Sequence, residues 1–131
     1  AVGHSPTEIL ARHALPTRAP EATLRQTEAW FREQGPLAAL GIASFGPAVV
    51  DRADGSWGHI ATTPKPGWSG CDLAGHFARA FDDRLFVLHR GLGGNTHDAV
   101  EHVITPWVDL VHQMLEQQGG CLQIAGTILI G

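Results

Sequence analysis

Eight histidines and a scatter of carboxylates are the first residues of this 131-residue chain that could do chemistry. His97, Glu101 and His102 lie close together, and imidazoles with a carboxylate are a zinc-type donor set. The spacing argues against a site: ligands on one helix face stand three or four residues apart, as in H-E-x-x-H, and only His97 and Glu101 do. Asp82 and Asp83 are adjacent, so in an extended strand they point to opposite faces and read as a turn rather than a working pair. Gly91-Leu92-Gly93-Gly94-Asn95 has the composition of a loop that cradles phosphate at a helix start, and equally that of a plain turn. No G-x-S-x-G elbow or Cys-His pattern points to a hydrolase. Cys71 and Cys121, without a C-x-x-C pairing, fit reduced thiols in a cytosolic protein better than a disulfide scaffold.

The elements that must position such residues are α/β in kind. Residues 9–15 alternate as a strand, with Ile9, Ala11, His13 and Leu15 on one face. Pro20 suits the first position of a helix, Glu21 complements its dipole, and Gly35-Pro36 stops it; Leu24, Thr27, Trp30 and Phe31 mark its apolar side. Residues 37–45 are a nearly continuous apolar run, the pattern of a strand covered on both faces. Residues 46–70 form a long irregular connection, inside which 49–50 and 57–61 read as short strands. Asp72 caps a helix reaching about Phe81 that should bury Leu73, Phe77, Ala80 and Phe81, and 84–89 reads as a strand. Thr105 and Pro106 open a further helix whose stripe is Trp107, Leu110, Val111, Met114 and Leu115. Gly119-Gly120 closes it before a final buried strand at 122–130.

Composition sets the outer bounds. The chain is one ordinary domain in length, and 44% hydrophobic with 17% charged residues is a globular balance. A net charge of -4 and a pI near 6.0 give no electrostatic reason to expect nucleic acid. No apolar run approaches the roughly 20 residues of a spanning helix, so no membrane partner is expected. The start carries no basic segment followed by an apolar one, so no secretory leader is expected and the location reads as cytoplasmic. The only methionine is Met114, which makes the chain a processed product or a piece of something longer. Sixteen glycines suit a fold with tight turns and close backbone approaches.

Two blocks in fixed order carry a family resemblance. Gly41-Ile42-Ala43-Ser44-Phe45-Gly46-Pro47 is followed by Trp57-Gly58-His59-Ile60-Ala61-Thr62-Thr63-Pro64-Lys65-Pro66-Gly67-Trp68. Together they resemble the G-x-x-S-F-G-P turn and the Y-G-x-I-x-x-T-P-K-x-x-W stretch of ROK-type sugar kinases, close to the fructokinases among them. Trp57 stands where that family usually has tyrosine, and residues 1–35 look like the strand and helix that precede the signature.

The resemblance implies a partial actin-like (ribonuclease-H-like) kinase domain with a mixed sheet and flanking helices. It also implies a fructose-like hexose as substrate, with ATP and Mg at the family level. It places Ser44, Gly46, Pro47, Thr62, Thr63, Lys65 and Trp68 on the sugar side of a cleft. Hydroxyls of Ser44, Thr62 and Thr63 would meet a polyol, and Gly46 would let the backbone approach while Pro47 stiffens the turn. Lys65 would donate to a sugar oxygen or anchor its loop, and Trp68 would pack beneath the loop or stack on a sugar face. Each has a plainer reading that stays open: a turn closing a buried strand, a solvated lysine, and tryptophans (Trp57 included) that merely pack.

The resemblance covers residues 1–81, and 82–131 is expected to be an unrecognised α/β tail packed into the same domain. The family's glycine-rich phosphate hairpin is missing from the sequence, as is its D-x-N segment with the catalytic base. The family's zinc cluster does not appear either, leaving Cys121 as the one cysteine of the second half. The expected function is therefore that of a fragment or truncated relative of an ATP-dependent sugar kinase, inactive alone. The alternative is a non-catalytic sugar-binding or protein-interaction α/β domain, with the Trp107 to Leu115 stripe as a docking face. A sheet lacking its first strands would expose an edge, which makes a homodimer through that edge the expected assembly.

Overall fold

A computed structural model describes residues 1–5, 8–45, 47–82, 85–90 and 125–130 of the chain. The elements are β1 (Val2–Ser5), β2 (Glu8–Ala11), α1 (Pro20–Glu33), β3 (Ala39–Ser44), α2 (Leu73–Ala80), β4 (Leu85–Arg90) and β5 (Ala125–Ile130). The strands form one mixed sheet in the order β2-β1-β5-β3-β4. β3 runs parallel to both its neighbours, with Ala39 opposite Leu85 and Ala125, and Ser44 opposite Arg90 and Ile130. β1 is antiparallel to β5 and to β2. The parallel β3 and β4 are joined through α2, the crossover that parallel pairing requires.

Every residue of β3 is buried, as its unbroken apolar run requires. Leu40 and Ile42 enter a core with Val2, Leu24, Phe31, Leu37, Ala48, Ile60, Trp68, Leu73 and Phe77. α1 begins at Pro20, carries Glu21 in its first turn and Arg32 in its last, and turns Thr23, Leu24 and Phe31 inward. Its end is marked by Gly35 at φ +93°. The two helices are tied at their exposed seam. Glu28 Oε1 lies 2.8 Å from Arg32 Nη2, which also donates to the Ala80 carbonyl at the end of α2 (3.0 Å). Glu28 Oε2 is 3.0 Å from His76 Nε2, and Phe81 stacks on Phe77 while meeting Phe31 edge-on.

The structure departs from the sequence-based expectations in four places. The strand expected over 9–15 is β2, Glu8–Ala11, because residues 12–18 leave the sheet and cross α1, where His13 stacks on Trp30 at 5.7 Å. The short strands expected at 49–50 and 57–61 are single bridges, Ala48 to Ile60 and His59 to Asp72. Gly58 sits between them at φ +84°, a left-handed conformation that an extended ladder does not continue through. In α2, Ala74 is fully buried, while Ala80 and Phe81 are only half-buried at the helix end. β1 is a strand of its own that the short, polar stretch at 2–5 did not advertise. The helix expected after Thr105, its Trp107 to Leu115 stripe, the Gly91–Asn95 turn and the His97, Glu101, His102 group lie outside the described residues.

Candidate functional site

The site is built at the carboxyl end of β3. Three parallel strands end together there, and in open α/β sheets that is the end at which ligands bind. Ser44 is the last residue of β3, 1% exposed, and its Oγ has no hydrogen-bond partner among the described residues. A buried hydroxyl without a partner costs free energy, so such a group calls for an explanation. Phe45 follows half-buried, Gly46 falls outside the described residues, and Pro47 is exposed.

The turn does not hang free. The Pro47 carbonyl accepts from Ala61 N (2.8 Å), the His59 carbonyl from Val49 N (2.9 Å), and the Val49 carbonyl from Gly58 N (2.9 Å). These bonds lock the segment after Ser44 against the segment leading into the second block. Between them, Asp51 Oδ1 accepts from Ala53 N (2.9 Å), and Asp54 Oδ1 accepts from Ser56 N (2.8 Å) and Ser56 Oγ (2.7 Å). The Ser56 donors hold the Asp54 carboxyl below its ordinary range. Trp57 is half-buried, with the Arg52 guanidinium 4.8 Å over its ring.

The second block closes on itself in the same way. Ser69 Oγ accepts from Thr63 N (3.0 Å) and donates to the Thr63 carbonyl (3.1 Å), drawing the two ends of the loop together. Trp68 N bonds the Lys65 carbonyl (3.2 Å). Trp68 itself is 1% exposed, packs edge-on against Phe45 at 5.3 Å, and donates Nε1–H to the Arg18 carbonyl at 2.9 Å. Of the two roles open to it, the structure places Trp68 beneath the loop, as the pin that fastens the loop to the start of α1. Lys65 is half-buried with Nζ 4.5 Å from the Phe45 ring centre. Thr62 is exposed and Thr63 half-buried.

Beyond the loop, Asp72 joins the site to α2. Its Oδ1 accepts from Gly75 N (2.9 Å) as the helix cap, and its Oδ2 accepts from Arg79 Nη1 (3.1 Å). The Cys71 thiol is pushed above its ordinary value, first by burial and then by the Asp72 carboxylate. Among the described residues no group of three His, Cys, Asp or Glu side chains could hold a metal ion, and no helix is long and apolar enough to cross a membrane. Nucleotide phosphates do not fit either described helix N-terminus. Asp72 already fills that of α2 with a carboxylate, and α1 opens with Pro20 and Glu21, a missing donor and a negative charge.

The geometry brings Lys65 and Trp68 onto the ring of Phe45, the neighbour of Ser44, while Thr63 sits half-buried and Thr62 exposed on the same loop and Pro47 is tied to Ala61. Three residues here were given no role from the sequence: Phe45, quoted only as part of the first block, which touches both Lys65 and Trp68; Ser69, which staples the loop; and Arg18, whose carbonyl takes the Trp68 indole. The Arg18 partnership spans fifty positions and leaves no local signal.

No protein-family model matches the chain. A protein of Pediococcus pentosaceus is 37% identical over 86 residues, which cover 66% of this chain and 30% of the relative. One of Zymomonas mobilis is 40% identical over 82 residues, 59% of this chain and 27% of the relative. One of Streptococcus mutans is 37% identical over 82 residues, 62% of this chain and 28% of the relative. All three are fructokinases. The chain therefore resembles fructokinases over most of its length while spanning less than a third of theirs.

Proposed function

We propose that this chain is the sugar-side portion of a fructokinase-like kinase of the ROK type, cytoplasmic, with an actin-like core. The site around Ser44, Gly46, Pro47, Thr62, Thr63, Lys65 and Trp68 would take a ketohexose. The observation that carries the reading is Ser44: a fully buried hydroxyl, without a partner among the described residues, at the carboxyl end of a parallel strand. A sugar hydroxyl would give Ser44 Oγ a partner that none of the described residues supplies. Lys65 and the threonines lie on a loop already fixed by Ser69 and Trp68, so little ordering entropy opposes binding.

Full kinase activity needs ATP, with Mg, and a general base for the attacking hydroxyl. The described residues offer neither a fitting phosphate cradle nor a metal group, and the sequence contains no D-x-N segment. By this reading the 131-residue chain binds hexose and does not phosphorylate it alone. Tryptophan fluorescence titrated with fructose, glucose and mannose tests the first half; a saturable change selective among the sugars is expected, and a flat response up to roughly 50 mM, above ordinary KM values, counts against it. Sugar-dependent ADP release by the purified chain would overturn the second half.

A second reading, association with another copy, rests on β2. This strand ends the sheet, and among the described residues its one strand partner is β1. Ile9 and Leu10 are 37% and 51% exposed there. Open edges with apolar side chains are what natural sheets pair or cover. Sedimentation would show a dimer that Leu10→Lys dissolves; a monomer at all concentrations rejects it.

A further inference from the structure

The exposed turn between Asp51 and Trp57 carries the one dipeptide of the chain that can react with itself. Asp54 is the only aspartate followed by glycine, and the single asparagine, Asn95, is followed by threonine. The amide nitrogen after an aspartate can attack the side-chain Cγ and close a cyclic imide. Glycine permits this most readily, because no Cβ obstructs the approach. Asp54, Gly55 and Ser56 are all exposed, and nothing lies within 4 Å of where a Gly55 Cβ would stand. Among the described residues the Gly55 N–H donates no hydrogen bond. The nucleophile is accessible.

The electrophile is held back. Asp54 Oδ1 accepts from Ser56 N at 2.8 Å and from Ser56 Oγ at 2.7 Å. Cyclisation needs the neutral carboxyl, whose hydroxyl leaves as water, whereas both bonds favour the charged carboxylate. The Ser56 hydroxyl and then its N–H lower the carboxyl from its ordinary value, with the His59 charge adding a smaller push the same way. The other charged groups of the turn point elsewhere: Asp51 accepts from Ala53 N, and Arg52 lies over the Trp57 ring.

We propose that Asp54-Gly55 is a site of spontaneous backbone isomerisation, and that Ser56, through its two bonds to the Asp54 carboxylate, restrains it. The bond from Gly55 N to Asp54 Cγ forms, and the amide proton and carboxyl hydroxyl leave as one water. Water then reopens the imide. Breaking the Cγ–N bond restores aspartate; breaking the bond from N to the main-chain carbonyl carbon leaves isoaspartate, with one more methylene in the backbone. That carbonyl is the one that accepts from Trp57 N at 3.0 Å, so isomerisation undoes the turn while the Ala61 to Pro47 bond lies outside it. The inference is independent of the sugar reading.

The test is to age the purified protein at mildly acidic pH and map its peptides, separating isoaspartyl from aspartyl forms of equal mass. Isoaspartate should collect at Asp54, more slowly than in a synthetic peptide spanning Val50 to Gly58. In Ser56→Ala it should form about fivefold faster than in the wild type, the factor that one hydrogen bond is worth. Gly55→Ala, whose methyl enters open space, should suppress the reaction and leave thermal unfolding unchanged. A wild type that isomerises as fast as the peptide overturns the restraint, and needs no variant to fold. Equal rates in the wild type and a folded Ser56→Ala protein overturn it as well. No isoaspartate at Asp54 in either protein, while the peptide reacts, overturns the site itself.

Discussion

Ser44 ends β3 with an oxygen that nothing among the described residues pairs. Replacing it with alanine removes a buried polar atom that no described residue satisfies, so the folded state should be unaffected or stabilised by up to about 1 kcal/mol. The same change should weaken fructose binding by about tenfold, the loss of one good hydrogen bond. Thermal unfolding beside a binding titration reads both, and a clear fall in stability would mean that Ser44 bonds to protein. At Cys71 the expectation concerns pH. Burial and the Asp72 carboxylate raise the folded thiol above its ordinary value of 9.0. The folded chain therefore keeps this proton to higher pH than the unfolded chain does. Its contribution to stability is complete below the unfolded value and drains away as pH rises through the folded one. Alkylation of Cys71 by iodoacetamide at pH 8 should be slower in the folded than in the urea-unfolded protein; equal rates would contradict a buried, protonated thiol.

Among the elements, the fit of the connecting loop onto α2 is tightest at Gly58. Its carbonyl accepts from Ala74 N (3.1 Å), its φ is +84°, and a Cβ placed there would run into the Ala74 Cβ. Gly58→Ala combines an unfavourable backbone with an overlap against a buried helix, and should cost about 2 kcal/mol or more. A melting temperature within a degree or two of wild type would show that this contact gives way easily. The sequence displayed α1 plainly, because Pro20 and Gly35 are local signals that need no tertiary context. It displayed β3 equally well, since a strand covered on both faces has to be apolar throughout. The connection at 46–70 was legible only as irregular. Its order comes from backbone bonds such as Ala61 N to the Pro47 carbonyl and from the Ser69 staple, and neither follows from periodicity or propensity. The extent of β2 was overstated because alternation continues through His13 and Leu15 even though the chain has already left the sheet to cross α1.

At the scale of the molecule, β5 is the strand that makes the sheet continuous. It lies between the antiparallel pair β1-β2 and the parallel pair β3-β4, so the first and last parts of the sequence meet at the centre of one sheet. Nothing in the apolar run at its end announces which neighbours it takes. A buried strand can sit anywhere in a sheet, and pairing across more than eighty residues is a tertiary fact. Removing residues from Ala125 onward should therefore abolish a single cooperative thermal transition in circular dichroism, while an unchanged transition would contradict the central position of β5. The candidate site, by contrast, draws its named residues from 44–68, which is why its resemblance to fructokinases could be read from two short blocks. What those blocks did not disclose was its support: Phe45 under the ammonium, Trp68 pinned to Arg18.

The most direct test of the account is a fructose titration of the protein labelled at its single lysine, Lys65, followed by NMR. A hexose seated between Ser44 and the Lys65 loop predicts a saturable displacement of the Lys65 side-chain signal, stronger for fructose than for glucose and much reduced in Ser44→Ala. A Lys65 signal that stays in place up to roughly 50 mM fructose, well above ordinary KM values, in a protein that remains folded would contradict the central claim that this loop and turn are a sugar site.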